Sequence, residues 1–316
     1  MKKTGFLYDE RYMLHDTGDM HPETSDRLPA LYKGIEKADF LQNLKLLKAS
    51  TTDLKWLETV HENKYIERIK QACLDGNNMI DFPDNAVCKK TYDIALLAVG
   101  GILDTIDMLM NGEIDNAFCA VRPPGHHAEK DACMGFCYFN NIAIAARYLQ
   151  QKWKLNNIAI VDFDVHHGNG TQHIFEDDPS VFYYSIHEHP SFSFPGTGRE
   201  FETGIGNGMG YTLNSPLLPG MGDEEYKTAM QESLDPVFFD FLPDFLLVSA
   251  GFDSHKDDDM SDMEVTTDGF RWIIEKLNDL ANTYCEGKII YILEGGYNLE
   301  RLPELGQLLI ELLLNQ

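Results

Sequence analysis

The stretch NIAIVDFDVHHGNG, residues 157–170, joins an apolar, β-branched run to a polar, glycine-rich turn. The run Asn157–Asp162 is apolar on both faces, which is typical of a strand buried between two layers of helices. Such strands belong to parallel sheets, and ligands there bind beyond the carboxyl ends of the strands. The stretch therefore predicts a parallel α/β sheet with functional residues just after its strands.

Similar apolar runs alternate with segments of helical periodicity along the whole chain, which favours the same α/β class. No internal repeat, low-complexity segment or linker interrupts this alternation. The predicted strands are Thr4–Tyr8, Asn116–Val121, Asn157–Asp162, Val181–Ile186, Asp244–Ser249 and Lys288–Leu293. The predicted helices are Thr91–Asn111, Asn141–Trp153, Asp223–Phe239, Thr267–Tyr284 and Pro303–Leu314.

The composition narrows the class of protein. The 316 residues include 51 acidic and 26 basic ones, for a net charge of -25. This argues against nucleic-acid binding, which needs a basic surface. The acidic surface would attract cationic ligands such as polyamines or lysine-rich peptides, or it serves solubility alone.

Localisation is predicted from what the chain lacks. The six cysteines show no disulfide-framework spacing, which is typical of reduced thiols in the cytosol. The first residues lack the pattern of a signal peptide, and the apolar runs are too short to cross a membrane. We expect a cytoplasmic protein that acts without nucleic acid or membrane, and export by a signal-less route stays open.

The carboxylates after residue 161 predict a metal site. If the strand continued, Asp162, Asp164 and His166 would share one face, and their repulsion would call for a cation. Zinc accepts such ligands, and a catalytic zinc uses three of them and leaves a position for water. The apolar run 245–250 leads in the same way to Asp253, which alone would be a turn residue. Here it supplies the third ligand beside Asp164 and His166, and these three side chains would give two oxygens and one nitrogen.

Polar segments also follow two further predicted strands. Val121 precedes RPPGHH, in which the prolines and glycine fix the backbone that carries His126 and His127. Adjacent imidazoles at a strand end suit general acid–base catalysis. The run 288–293 precedes EGGY, and the hydroxyl of Tyr297 could donate to a developing oxyanion. Alone, a GGY segment indicates only a turn.

Taken in order, these segments resemble the histone deacetylase family, most closely its class II and bacterial amidohydrolase branch. The resemblance covers about residues 4 to 300. Supporting segments are HPE at 21–23 and GFCYFNN at 135–141. The motifs that carry it are RPPGHH at 122–127, DFDVHHGNG at 162–170, PGTG at 195–198, SAGFD at 249–253 and EGGY at 294–297.

The resemblance implies the fold and the catalytic roles. The fold would be a single arginase–deacetylase domain over residues 4–316, built on an eight-stranded parallel sheet. Zn²⁺ would bind Asp164, His166 and Asp253, as inferred above. His127 would be the general base and then acid, with His126 its electrostatic partner oriented by Asp162. Tyr297 would polarise the acetyl carbonyl.

The resemblance also implies a substrate channel and a second cation. Gly135, Phe136 and Phe194 would line the channel for an acyl-lysine stem, with Met260 at its rim. A structural K⁺ would lie beside the zinc, held mostly by backbone oxygens. Its neighbours would be Asp162, Asp164, His166, Ser185 and Ile186.

The chain departs from the family at two places. Many relatives have Asp-Pro-Leu where this chain has Asp258, Asp259 and Met260, so we expect the loop and the rim of the pocket to differ in shape from theirs. Residue 169 is asparagine where another branch has aspartate, so His127 lacks a carboxylate behind it.

The expected activity is hydrolysis of acetyl-lysine amides in proteins or peptides, with acetate as a product. An acetylpolyamine amidohydrolase is the main alternative, but polyamine-specific relatives carry a glutamate seven residues after the zinc aspartate, where this chain has Met260. An acyl-lysine binding protein without catalysis and a dimanganese, arginase-like hydrolase are more distant alternatives. The latter needs a second set of metal carboxylates, and the sequence offers one convincing set.

Overall fold

The computed structural model describes residues 2–316 and contains a twisted sheet of eight parallel strands in the order β2-β1-β5-β10-β9-β6-β7-β8. The strands are β1 Thr4–Leu7, β2 Lys45–Leu47, β5 Asn116–Cys119, β6 Ile158–Asp162, β7 Val181–Glu188, β8 Thr212–Leu217, β9 Phe245–Ala250 and β10 Ile289–Leu293. A separate antiparallel hairpin joins β3 Met79–Ile80 to β4 Phe82–Ala86. The expected eight-stranded parallel sheet is confirmed.

Nine α-helices occur in the part of the chain that the structure describes, together with three short 3₁₀ turns. None of them is both long and apolar enough to span a bilayer. The helices are α1 Arg27–Glu36, α2 Leu54–Leu57, α3 Asn63–Asp75, α4 Thr91–Met110, α5 Asn141–Trp153, α6 Asn169–Phe175, α7 Asp223–Phe241, α8 Thr267–Tyr284 and α9 Leu302–Leu314.

The core lies on both faces of the central strands. Every residue of β5, β6, β7, β9 and β10 is buried, because helices cover the sheet on both sides. Because these strands are buried on both faces, they can be recognised in the sequence as continuous apolar runs. The two edge strands were not predicted: β2 has three residues, and β8 interleaves apolar with polar residues and ends near Pro216.

The order of the strands brings four sequence motifs together. β5, β10, β9 and β6 are consecutive neighbours, and in register Leu293 lies opposite Ala250 and Asp162 opposite Ser249. Each of these strands leads into one motif, which begins within the last two residues of the strand or at most three residues after it: RPPGHH, EGGY, SAGFD or DFDVHH. Because the strands are parallel, all four motifs emerge at the same edge of the sheet.

Candidate active site

Three buried side chains from two neighbouring strand ends converge at this edge. Asp164, His166 and Asp253 each place a ligand atom within 4.8 Å of the others. His166 Nδ1 lies 3.1 Å from Asp164 Oδ1 and 3.2 Å from Asp253 Oδ2. The strand β6 ends at Asp162, as predicted, and it does not continue through His166, because residues 164–166 form a bend. It is this bend, rather than a continued strand, that turns Asp164 and His166 towards Asp253.

Backbone amides hold the two carboxylates in place. Val165 N donates to Asp253 Oδ1 at 3.0 Å, and Gly295 N donates to Asp164 Oδ2 at 2.7 Å. A side chain at residue 295 would not fit, because its Cβ would lie 2.1 Å from Asp253 Oδ2. Gly295, the first glycine of EGGY, therefore permits the segment after β10 to approach the carboxylates that follow β6 and β9.

These residues fit a bound cation. Asp253 Oδ2 is buried, and although His166 Nδ1 lies 3.2 Å away, no residue in 2–316 donates it a hydrogen bond of acceptable geometry. Burial and the charge of Asp164 raise the pKa of Asp253 to about 6. Burial opposes the charged form of His166, yet Asp164 and Asp253 prevail and raise its pKa to about 10. The cluster therefore favours positive charge at its centre, and two oxygens with one nitrogen are a donor set that zinc accepts.

His126 lies beside this cluster and is held by Asp162. His126 Nδ1 is 3.0 Å from Asp162 Oδ2, which also accepts a hydrogen bond from the Tyr183 hydroxyl at 3.0 Å. His126 Nε2 is 3.8 Å from Asp164 Oδ1. Burial disfavours its charged form, but the carboxylates of Asp162 and Asp164 outweigh burial and raise the pKa of His126 to about 10.

His127 has the opposite electrostatic environment. Burial, together with the neighbouring His126 and His166, lowers its pKa well below the usual value, so its imidazole is neutral. His127 Nδ1 lies 2.7 Å from Asn169 Oδ1. Since an amide oxygen only accepts, Nδ1 carries the proton and Nε2 keeps its lone pair. Two adjacent imidazoles thus differ in charge: one is a cation and the other is a base.

Tyr297 is half-buried against aromatic and cationic groups. Its ring lies edge-on to Phe136, with centroids 6.1 Å apart, and the Arg27 guanidinium lies 4.8 Å from its centroid. Burial raises the pKa of Tyr297 well above its usual value, so the phenol keeps its proton. Asp258 orients this turn by accepting hydrogen bonds from Tyr297 N at 2.6 Å and Asn298 N at 2.9 Å.

A narrow cavity of about 170 Å³ joins these groups to the surface. Phe194 packs edge-on against His127, with centroids 5.0 Å apart, and Phe136 has a positive φ of 68° and is held by a hydrogen bond from its own amide to Asn85 Oδ1. A Cβ at Gly135 would lie 2.3 Å from His127. The residues lining the cavity are Asp84, Pro124, His126, His127, Gly135, Phe136, His166, Phe194, Met260, Gly295 and Tyr297.

Three acidic residues at this site have roles that were not predicted from the sequence. Glu294 is buried and accepts hydrogen bonds from Gly125 N at 2.7 Å and His126 N at 3.2 Å, which holds the histidine segment. Asp258 supports Tyr297, as described above. Asp84 is half-buried at the mouth of the cavity and belongs to the hairpin strand Phe82–Ala86. The Glu294 position was visible within EGGY, but nothing in the sequence distinguishes Asp84 from a turn residue.

The expected K⁺ neighbours Asp162 and Ser185 lie on adjacent strands, and their side chains already have hydrogen-bond partners in the protein. Ser185 of β7 lies opposite Asp162 of β6, and its hydroxyl lies 2.7 Å from His187 Nδ1. Asp162 Oδ1 accepts a hydrogen bond from Asp164 N at 3.2 Å. The K⁺ site therefore stays a prediction.

Comparison with known proteins places this geometry in context. The protein-family model of the histone deacetylase domain matches residues 21–313 of the sequence. A probable deacetylase of Archaeoglobus fulgidus is 39% identical over 94% of this chain and 82% of its own length. Histone deacetylase 10, chloroplastic, of Oryza sativa subsp. japonica is 37% identical over 96% of this chain and 71% of its own.

Two more similarities extend over the whole fold. Histone deacetylase 5 of Arabidopsis thaliana is 36% identical over 99% of this chain, which spans 49% of that longer protein. The crystal structure of the HDA15 HD domain superposes with a TM-score of 0.94 at 36% identity, over 100% of this chain and 89% of the other.

Proposed function

The chain belongs to the histone deacetylase family of amide hydrolases, and we propose that it removes the acetyl group from N-acetyl-lysine in proteins or peptides as a zinc enzyme. One observation carries the proposal: a narrow, largely apolar cavity ends at a buried Asp-His-Asp cluster, with a neutral histidine and a protonated tyrosine on its walls. An extended acyl-lysine stem fits such a cavity, and the amide would meet the polar groups at its end.

In this proposal Asp164, His166 and Asp253 hold the zinc. Bound there, the ion supplies Lewis-acid chemistry, which lowers the pKa of a water towards about 7 and polarises a carbonyl. His127 Nε2 takes a proton from the attacking water, because burial keeps the imidazole neutral. The Tyr297 hydroxyl donates a hydrogen bond to the oxyanion that forms on the acetyl carbon.

The leaving amine then needs a proton, and His127 Nε2 returns the one it took. Cleavage of the C–N bond gives acetate and the free amine. His126 stays cationic beside Asp162 and stabilises negative charge at the reacting carbon. Phe136 and Phe194 exclude water from the stem of the substrate, which strengthens these electrostatic interactions.

The rim of the cavity favours a peptide over a polyamine. Met260 lines it with an uncharged side chain. Two carboxylates of the same loop are engaged elsewhere: Asp257 accepts from Arg301 Nε at 2.7 Å, and Asp258 caps the Tyr297 turn. Asp84 is the single acidic residue among those that line the cavity within residues 2–316. It can accept hydrogen bonds from the backbone amides of a peptide, but also from a polyamine ammonium, so acetylpolyamine hydrolysis is the second candidate.

Acetate release measured on acetyl-lysine peptides, acetylspermidine and acetylputrescine tests this choice. We expect the peptides to have the highest kcat/KM. Replacing Met260 by Glu should shift the ratio of kcat/KM towards acetylpolyamines, by about 10-fold for 1.4 kcal/mol of cation recognition. The reason is that the new carboxylate would pair with the distal ammonium at the rim.

Met260→Gln is the matched control, because it has the same length as Glu but no charge. It should leave the substrate ratio near that of the wild type. If the wild-type protein already prefers acetylspermidine by 10-fold or more, the peptide assignment is wrong, and the cation is recognised by another group such as Asp84.

The distant alternatives gain no support from the site. An arginase-like hydrolase would need a second set of metal ligands, and within residues 2–316 one cluster of three such groups brings its ligand atoms together. A binding protein without catalysis would need no neutral base beside the cluster. A cytoplasmic location stays a prediction, and one relative in rice is chloroplastic.

A further inference from the structure

A row of hydrogen-bonded side chains leads from His127 away from the cavity. Behind the imidazole, Asn169 Nδ2 donates to Glu129 Oε1 at 2.5 Å, and His173 Nδ1 lies 2.8 Å from the same oxygen. Asn169 is buried, whereas the side chains of Glu129 and His173 are 20% and 40% exposed. Glu129 and His173 thus lie on the far side of Asn169 from the reacting groups and contact neither the cavity nor the metal ligands.

The contact with Glu129 determines which end of the Asn169 amide faces His127. The oxygen and nitrogen ends of an amide have nearly the same shape, but a carboxylate only accepts hydrogen bonds. Glu129 therefore requires the Nδ2 end, and Oδ1 must point the other way, to His127 Nδ1 at 2.7 Å. Nδ1 then carries the proton, and the lone pair of Nε2 faces the cavity.

The other contacts of the amide are too weak to impose this orientation. Asn169 Nδ2 also lies 3.4 Å from His127 O, which is long for a hydrogen bond to oxygen, and 3.4 Å from Met134 Sδ, which is a weak acceptor. Neither partner is charged. A carboxylate acceptor makes a shorter and roughly twofold stronger bond. Glu129 is itself held by His173, whose pKa is raised mainly by their hydrogen bond.

We propose that Glu129 is a positioning residue for the reaction: it orients the Asn169 amide and thereby selects the tautomer of His127 that can accept a proton at Nε2. The inference rests on the proposed function, because it assigns His127 as the general base. It differs from a carboxylate acting directly on the imidazole, since here the negative charge lies one residue farther out and acts through an amide.

The first test is Glu129→Ala, measured as acetate release from an acetyl-lysine peptide. Without the carboxylate the amide can rotate and present Nδ2 to Nδ1, which leaves the proton on Nε2 and removes the base. We expect kcat to fall by roughly 10-fold or more, up to the roughly 10²–10⁴ that a general base contributes, with KM little changed. Asp131→Ala, on the exposed part of the same loop, is the control and should have wild-type kinetics.

The second test is a double-mutant cycle with Asn169→Asp. A carboxylate has two equivalent acceptor oxygens and needs no partner to orient it. Glu129→Ala should therefore lose its effect, or even raise kcat by relieving like-charge repulsion, when Asn169→Asp is already present. Glu129→Gln should be intermediate, because its amide oxygen still accepts from Asn169 but its nitrogen can also donate.

The outcomes separate the inference from the proposed function. A wild-type protein that releases no acetate would contradict the function itself. If the wild type is active but Glu129→Ala retains full kcat, Glu129 does not act through the amide and the inference is wrong. The same holds if Glu129→Ala lowers kcat by the same factor with and without Asn169→Asp. An equal loss in both backgrounds is the signature of a structural role, and the melting temperatures of the variants identify it.

Discussion

Replacing Asp253 by Ala is expected to abolish both zinc retention and acetate release. The wild-type protein should bind about one zinc per chain at three ligands. In the variant only Asp164 and His166 would remain, and the oxygen that faces the centre of the cluster would be gone. Activity should fall below detection, because the protein would lose the ion together with its Lewis-acid chemistry.

Zinc content by mass spectrometry and thermal unfolding with added zinc are the measurements. Saturating zinc stabilises a protein that binds it in the native state, by about 2.7 kcal/mol at 100 times Kd. The melting temperature of the wild type should therefore rise with zinc, and that of Asp253→Ala should not. Asp279→Ala, on the exposed surface of α8, is the control. Full zinc content and activity in Asp253→Ala would show that the metal site lies elsewhere.

Replacing Tyr297 by Phe should lower kcat by roughly 10²–10³ and leave zinc content intact. The change removes a single hydroxyl, whereas the ring keeps its contacts with Phe136 and Arg27. The loss should appear in kcat more than in KM, because the hydroxyl bonds most strongly to the oxyanion of the transition state.

Steady-state kinetics on the same acetyl-lysine peptide measures this effect. Tyr284→Phe, near the end of α8 and away from the cavity, controls for the loss of a phenol elsewhere. An unchanged kcat in Tyr297→Phe would mean that the oxyanion is stabilised without this residue. A rise in KM alone would assign the hydroxyl to substrate binding instead.

Much of the site could be predicted from the sequence because four of its motifs directly follow buried strands. Asp164, His166 and Asp253 were grouped by their position after apolar runs, and parallel strands bring such residues to one edge. The pairing of His126 with Asp162 followed from the family resemblance, and the two side chains lie 3.0 Å apart in the structure. Local sequence pattern and sheet topology agree here.

What the sequence did not reveal depends on long-range packing. Glu129 follows the two histidines by two residues, yet its role requires Asn169, which lies 40 residues farther along the chain. Asp84 reaches the cavity mouth from a short hairpin whose strands have no clear periodicity. Strand β8 and helix α6 were missed because short or partly polar elements depend on their neighbours more than on intrinsic propensity.

The most direct test of the account is a zinc titration of the chelator-treated protein, with acetate release from an acetyl-lysine peptide as the readout. We predict negligible release without metal and a linear rise up to about one equivalent of zinc per chain, with no recovery in Asp253→Ala. Acetate release that persists at the wild-type rate after complete removal of metal would contradict a metal-dependent deacetylase at this site.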